Sequence, residues 1–102
     1  LYCGGQTRRD SVYNGLIATM AELEADDWVL VHDAARPCLP RRDLENLVRE
    51  TENDAVGGIL ALPVADTVKR AGSAGEVAAT LPREGLWLAQ TPQMFRCAAL
   101  RT

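Results

Sequence analysis

The spacing of apolar residues along the chain predicts an alternation of strands and helices. A first strand ends at a glycine pair, and the helix that follows is capped by Asp10 or Ser11. A second helix is predicted over residues 40–53. Continuous apolar runs at residues 28–32 and 55–64 are typical of strands buried on both faces of a parallel sheet. The order strand, helix, strand, helix, strand therefore predicts an α/β fold with a mainly parallel sheet.

A polar hairpin is predicted in the second half of the chain. Residues 66–71 and 77–81 are short strand candidates on either side of the turn Gly72–Gly75, and together they predict an arm over about residues 64–85. The arm has little apolar surface that could face a core of its own. We therefore expect it to pack on another molecule, and a partner subunit is the natural candidate.

The residues after the arm return to the α/β pattern. Leu86 to Gln90 predicts a strand, Thr91-Pro92 is expected to break it, and a helix is expected to begin at Arg96.

Composition and charge exclude several classes of protein. With 102 residues, 47% hydrophobic and 25% charged, the chain is typical of a globular domain and not of a disordered segment. A net charge of −3 with interspersed signs argues against a nucleic-acid binder. Three widely spaced cysteines form neither a disulfide framework nor a zinc pattern, so we expect reduced thiols in a cytoplasmic protein. The first residue is Leu1, and we expect the chain to be an internal segment of a longer protein.

Candidate chemistry lies at the predicted carboxyl ends of the strands, where open α/β sheets bind ligands. The segment from Gly5 to Ser11 lets a ligand approach the backbone at a helix N-terminus, although an ordinary strand-to-helix loop explains it as well. Asp33 and Arg36 are separated by two alanines. Asp33 could bind a metal ion or sugar-like hydroxyls and Arg36 a phosphate; the simpler interpretation is a salt bridge that closes the loop.

Further polar residues could complete such a site. Thr67 and Arg83 on the arm, with Thr91 at a strand end, could collect a phosphate, or the arm could simply be a solvated charged surface. His32 is predicted to be a hydrogen-bonded core histidine, because alternation places it on the face of Trp28. The chain contains no Walker loop, no Gly-x-Gly-x-x-Gly and no nucleophile-elbow motif.

In this order the segments resemble the 2-C-methyl-D-erythritol 4-phosphate cytidylyltransferase family of the non-mevalonate isoprenoid pathway. The resemblance covers essentially the whole chain, and its most specific string surrounds Asp33. The matching residues are Gly4-Gly5, Arg8, Asp10-Ser11, Val29 through Pro37, Pro63, Asp66 through Arg70, Arg83, Gly85-Leu86-Trp87, Thr91-Pro92-Gln93 and Phe95.

The resemblance implies a fold and an activity. The fold is a Rossmann-like nucleotidyltransferase of the nucleotide-diphospho-sugar transferase type, in which a β-arm interlocks two subunits into a homodimer. The activity is transfer of a cytidylyl group from CTP to 2-C-methyl-D-erythritol 4-phosphate, with a divalent metal, usually Mg²⁺, held mainly by the CTP phosphates. No residue of this chain is expected to ligate the metal, and neither nucleic acid nor a membrane is an expected partner.

The resemblance also implies residue roles. Gly5, Gln6, Ser11 and Ala34 are expected at the nucleotide. The methylerythritol phosphate site is expected to comprise Asp33, Ala34, Arg36 and Thr91, with Thr67 and Arg83 reaching in from the neighbouring subunit. Arg83 is expected to hold the attacking phosphate and is the catalytic candidate.

Two departures from the family pattern stand out. Many members carry an acidic residue at the position of Gln6. The N-terminal glycine-rich loop, which binds the triphosphate, and a C-terminal segment are missing from residues 1–102, so these residues are expected to form the central part of one cytidylyltransferase domain, inactive by itself. Two alternatives stay open: a ribitol-phosphate cytidylyltransferase of the same fold, and a non-catalytic nucleotide-binding or dimerising module.

Overall fold

The computed structural model describes residues 3–101 and shows three α-helices, one 3₁₀ turn and five strands. In chain order these are α1 (Arg8–Thr19), the 3₁₀ turn (Met20–Glu22), β1 (Trp28–Val31), α2 (Arg41–Thr51), β2 (Gly57–Pro63), β3 (Val68–Ala71), β4 (Val77–Leu81), β5 (Trp87–Arg96) and α3 (Cys97–Leu100). The strand predicted before the glycine pair falls partly on Leu1 and Tyr2, outside the described residues, and Cys3–Gly5 are not in a strand. No described helix is long and apolar enough to cross a bilayer.

The main sheet has the strand order β1-β5-β2, and β5 runs antiparallel to both neighbours. The expectation of a mainly parallel sheet is therefore wrong for the described residues. β1 and β2 do run in the same direction, as their connection through α2 predicts, but β5 lies between them. The pattern of apolar residues identifies each strand, whereas it does not say which strand occupies the gap between two others.

β5 carries a bulge in its centre. Its pairing with β2 changes from Ile59 opposite Gln93 to Ala61 opposite Ala89, so residues 90–92 of β5 face Leu60 alone. The Thr91–Pro92 peptide bond in this bulge is cis. Because proline has no N–H to donate to a ladder, it is tolerated where pairing is interrupted. The expected break at Thr91-Pro92 is thus a bulge within a continuous strand.

A small core lies between α2 and the main sheet. Leu47 of α2 and Met94 of β5 are buried, and the hydroxyl of Thr51 donates to the Leu47 carbonyl oxygen at 2.6 Å. Gly58 of β2 faces Thr51 so closely that a Cβ at this glycine would collide with the threonine methyl. The helix therefore packs directly on the strand backbone. At the sheet edge, the Arg96 guanidinium stacks 3.8 Å from the centre of the Trp28 ring and ties β1 to β5.

The predicted hairpin is present as a separate two-stranded antiparallel sheet of β3 and β4. Most of its side chains are exposed, and the Lys69 ammonium donates to the Thr80 hydroxyl at 2.6 Å. The radius of gyration is 17.0 Å, against about 13 Å for a compact domain of this length. The molecule is therefore elongated. Whether the hairpin joins two subunits stays a prediction.

Candidate active site

The loop after β1 brings one carboxylate between two guanidinium groups. Asp33 Oδ1 lies 3.5 Å from Arg8 Nε, and Asp33 Oδ2 lies 3.4 Å from Arg36 Nε. The Arg36 N–H also donates to the Asp33 carbonyl oxygen at 3.0 Å, which closes a turn. The salt bridge that the simpler interpretation predicted is therefore present. These side chains remain 37–54% exposed, so a ligand can reach them and replace a partner in the ion pairs.

The bulge in β5 supplies the opposite wall of the site. Arg36 Nη1 donates to Gln90 Oε1 at 2.5 Å, and the Asp33 backbone N–H donates to the Thr91 hydroxyl at 3.1 Å. Thr91 is buried, with 7% of its surface exposed. Bulges re-aim side chains at functional sites, and here the bulge turns two consecutive residues toward the loop 33–36.

Thr91 was expected at the site from its place in the sequence, whereas Gln90 and Arg8 had no assigned role. A polar residue directly beside Thr91 at a strand end was the available signal for Gln90. Arg8 belongs to the first turn of α1, twenty-five residues from Asp33 in sequence. Nothing local indicates that these two side chains meet.

His32 is hydrogen-bonded, as predicted, but it is not in the core. The residue is exposed, Nε2 lies 2.8 Å from the Arg36 carbonyl oxygen, and Nδ1 lies 3.0 Å from the Thr91 hydroxyl. The expectation of a core position was wrong because the face of β1 that carries Trp28 and Leu30 is not a core face: Leu30 is itself 40% exposed. His32 lies two residues further along and is exposed like Leu30.

The glycine segment leads into α1 with a complete cap. Thr7 is the N-cap: its hydroxyl accepts from the Asp10 N–H at 3.1 Å, while the Asp10 carboxylate accepts from the Thr7 N–H at 3.3 Å. This reciprocal capping box replaces the predicted cap at Asp10 or Ser11. The Ser11 hydroxyl instead accepts from the Gly5 N–H at 3.0 Å. A side chain on Gly5 would collide with Asp10, so this close turn requires glycine.

A cleft of about 510 Å³ opens beside the loop and β5. Its volume falls within the usual range of small-ligand sites. Arg36 and Thr91 line it together with Gln90, whereas Asp33 and Ala34 lie outside its lining. The remaining lining residues are Ala35, Pro37, Cys38, Leu39, Pro40, Asp43, Leu60, Ala61 and Leu62.

The predicted residues of the arm lie in a different part of the molecule. Arg83 donates to the carbonyl oxygen of Ala65 within the same arm, and Thr67 is exposed just before β3. Among residues 3–101, no hydrogen bond or ion pair joins either of them to Asp33 or Arg36. The site thus gathers Asp33, Arg36 and Thr91, with the Gly5–Ser11 turn connected through Arg8, and leaves the arm residues apart.

Comparison with protein families matches residues 1–102 to IspD, 2-C-methyl-D-erythritol 4-phosphate cytidylyltransferase. The chain belongs to this family. The protein of that name from Aromatoleum aromaticum is 62% identical over 101 residues, which are 99% of this chain and 43% of the relative. That from Azoarcus sp. strain BH72 is 61% identical, with the same coverage of both chains.

Solved structures of family members have the same fold. A crystal structure of 4-diphosphocytidyl-2C-methyl-D-erythritol synthase matches with a TM-score of 0.88 and 51% identity, over 96% of this chain and 47% of the other. The Francisella tularensis family member matches with a TM-score of 0.86 and 44% identity, over 96% and 45%. The nucleotidyltransferase fold is thereby confirmed. The chain spans less than half the length of these relatives.

Proposed function

We propose that the protein transfers a cytidylyl group from CTP to 2-C-methyl-D-erythritol 4-phosphate, giving 4-diphosphocytidyl-2-C-methyl-D-erythritol and pyrophosphate. The observation that carries this proposal is the grouping of Asp33, Arg36 and Thr91 beside a cleft, in a chain that matches the family over its whole length. A half-exposed arginine with a carboxylate and a hydroxyl beside it suits a small phosphorylated polyol.

Arg36 is suited to the acceptor phosphate. Its guanidinium presents parallel N–H donors that match two phosphate oxygens, and its present partners, Gln90 and Asp33, are groups that a phosphate can displace. Once released from Arg36, the Asp33 carboxylate can accept hydrogen bonds from the hydroxyls of the acceptor. The loop would thus bind both the phosphate and the hydroxyls of the acceptor through one short turn.

The reaction itself needs no protein nucleophile. An oxygen of the acceptor phosphate attacks the α-phosphorus of CTP, and the bond from that phosphorus to the β-phosphate oxygen breaks. Two anions must approach each other, so catalysis rests on positioning and charge neutralisation. Arg36 and Arg83 have the required charge and shape.

The nucleotide end of the site would lie at the start of α1. The residues proposed to contact the cytosine end of CTP are Gly5, Gln6, Ser11 and Ala34. The Gly5 turn keeps the backbone accessible there.

Among residues 3–101, no three metal-ligating side chains cluster. A divalent cation such as Mg²⁺ is proposed to be held mainly by the CTP phosphates, where it would offset their negative charge. Three free cysteines fit a cytoplasmic enzyme.

The arm is proposed to complete the site of a second subunit in a homodimer. Thr67 and Arg83 do not reach their own chain's Asp33 or Arg36, and the hairpin exposes apolar side chains such as Val77, which is 64% exposed. A partner subunit would cover these side chains and receive Arg83 as a second ligand for the attacking phosphate.

Pyrophosphate release by the full-length gene product, with CTP and Mg²⁺, tests the activity. Methylerythritol phosphate and ribitol phosphate are offered in parallel. Release with the first alone is expected. Release with ribitol phosphate alone would move the protein to the sister activity, and release with neither would favour a binding or dimerising module.

A mixed dimer tests the shared site. Arg83→Ala should abolish most turnover while leaving CTP affinity nearly unchanged, because Arg83 acts on the acceptor. Combining Arg36→Ala chains with Arg83→Ala chains should restore about a quarter of wild-type activity, since half of the dimers are mixed and each has one intact site. No recovery would show that Arg83 serves its own subunit.

A further inference from the structure

His32 contacts both sides of the candidate site, although the proposed chemistry does not use it. Its Nε2 lies 2.8 Å from the Arg36 carbonyl oxygen, and its Nδ1 lies 3.0 Å from the Thr91 hydroxyl. The first contact spans the turn from Asp33 to Arg36, and the second reaches β5. The ring therefore connects the loop to the strand that forms its opposite wall.

These partners determine where the proton lies on the neutral imidazole. A carbonyl oxygen can only accept, so Nε2 carries the proton and donates to Arg36. Nδ1 is then unprotonated and accepts from the Thr91 hydroxyl. The oxygen of that hydroxyl accepts in turn from the Asp33 backbone N–H at 3.1 Å. The result is one directed chain of hydrogen bonds from Asp33 through Thr91 and His32 to Arg36.

The end of strand pairing explains why this chain of hydrogen bonds matters. Pairing of β1 with β5 ends at Val31 opposite Gln93, and continuing the same register places Asp33 opposite Thr91. On β5, Pro92 lies between Thr91 and Gln93 and has no N–H that could continue the ladder. Pairing therefore stops before this position, and the Asp33 N–H donates to the Thr91 hydroxyl where a continued ladder would supply a carbonyl oxygen. Because a hydroxyl can rotate, it needs a second partner that fixes its direction, and His32 is that partner.

We propose that His32 is a positioning residue for the acceptor phosphate. By fixing the Thr91 hydroxyl and the Arg36 carbonyl, it holds the loop that carries the Asp33 carboxylate and the Arg36 guanidinium in place beside the cleft before substrate arrives. This inference rests on the proposed cytidylyl transfer, because it names the acceptor as the ligand that benefits. His32 contacts no substrate in this role and transfers no proton to one.

Kinetics of His32 variants in the full-length protein test the proposal. His32→Phe keeps a ring and removes both hydrogen bonds, and it should raise the KM for methylerythritol phosphate about tenfold while the KM for CTP stays unchanged. His32→Asn places an amide oxygen near the position of Nδ1 and should recover part of the loss. Arg49→Ala, on the exposed side of α2, is the matched control and should behave as wild type.

The outcomes separate this inference from the proposed function. Wild-type release of pyrophosphate with an unchanged acceptor KM in His32→Phe overturns the inference and leaves the proposed function standing. An equal rise in both KM values overturns it as well, because that result indicates general damage to the fold. No release by the wild type overturns the proposed function and the inference with it.

A spectroscopic measurement needs no variant that could misfold. The ¹⁵N chemical shifts of the wild-type imidazole distinguish a protonated ring nitrogen from an unprotonated one. At a pH where the ring is neutral, we expect a single tautomer with the proton on Nε2. A proton on Nδ1, or a mixture of tautomers in the wild type, would overturn the proposal.

Discussion

The loop Asp33–Arg36 and the hairpin of β3 and β4 carry the two parts of the proposed acceptor site, and they are held in different ways. The loop is fixed by partners far away in sequence, among them Arg8 of α1 and Thr91 of β5. The hairpin strands pair with each other, and most of their side chains face solvent. One part of the site is organised within the chain, and the other is presented outward.

The difference shows how charge can be placed before a substrate binds. In the loop, backbone and side-chain hydrogen bonds hold Asp33 and Arg36 at fixed distances, so little ordering is left for the ligand to impose. Arg83 on the arm is held by one bond to the nearby Ala65 carbonyl oxygen. If the arm enters a second subunit, its final position is set only when the dimer forms.

The largest expected effect is a loss of turnover caused by a substitution in the loop Asp33–Arg36. Arg36→Ala removes the guanidinium proposed for the acceptor phosphate and should lower kcat/KM for that substrate by about 10²–10³-fold. Unfolding stability should change little, because the side chain is half exposed. Pyrophosphate release and a thermal melt measure the two quantities. A large loss of Tm with unchanged turnover would mean that Arg36 supports the loop and does not bind substrate.

The next effect compares packing in the two regions. Leu47→Ala truncates a side chain that is only 4% exposed, and it should lower the free energy of unfolding by about 2–5 kcal/mol. Val77→Ala on the hairpin is the contrasting variant, with an expected loss below about 0.5 kcal/mol at low protein concentration. Urea unfolding measures both. Equal losses would show that the hairpin is packed as firmly as the main sheet.

The smallest effect concerns the turn that leads into β2 and from there to the hairpin. Asp54 accepts hydrogen bonds from the Val56 N–H at 2.8 Å and the Gly57 N–H at 3.0 Å, and these bonds lower the pKa of its carboxyl group. A lowered pKa in the folded state means stability that is present above the ordinary value of 3.8 and lost as the pH falls below it.

Asp54→Asn should therefore reduce the dependence of Tm on pH below 3.8, with a minor change at pH 7. Thermal melts between pH 7 and pH 3 measure this. An unchanged pH dependence in the variant would show that other carboxyl groups account for acid destabilisation.

Much of the local structure was predictable from the chain. The two long helices, the strands after Asp27 and the hairpin were all predicted, and most of their ends differ by a few residues. The exception is β5, which continues to Arg96 where a strand ending at Gln90 was predicted. Asp33, Arg36 and Thr91 were identified as a site because polar residues follow predicted strands, and the family resemblance on which their roles rest is confirmed. Gln90 and Arg8 were missed because their partners are distant in sequence.

The sequence by itself determined the helices, the strands and the hairpin, since these depend on residues close together in the chain. It also determined the family, through the ordered set of motifs around Asp33. The tertiary structure alone decided that β5 lies antiparallel between β1 and β2, and that a bulge at residues 90–92 turns Gln90 and Thr91 toward the loop. It also decided that His32 is exposed and hydrogen-bonded to both the loop and β5. Strand order and side-chain direction depend on pairing between distant segments, and local periodicity carries no record of that pairing.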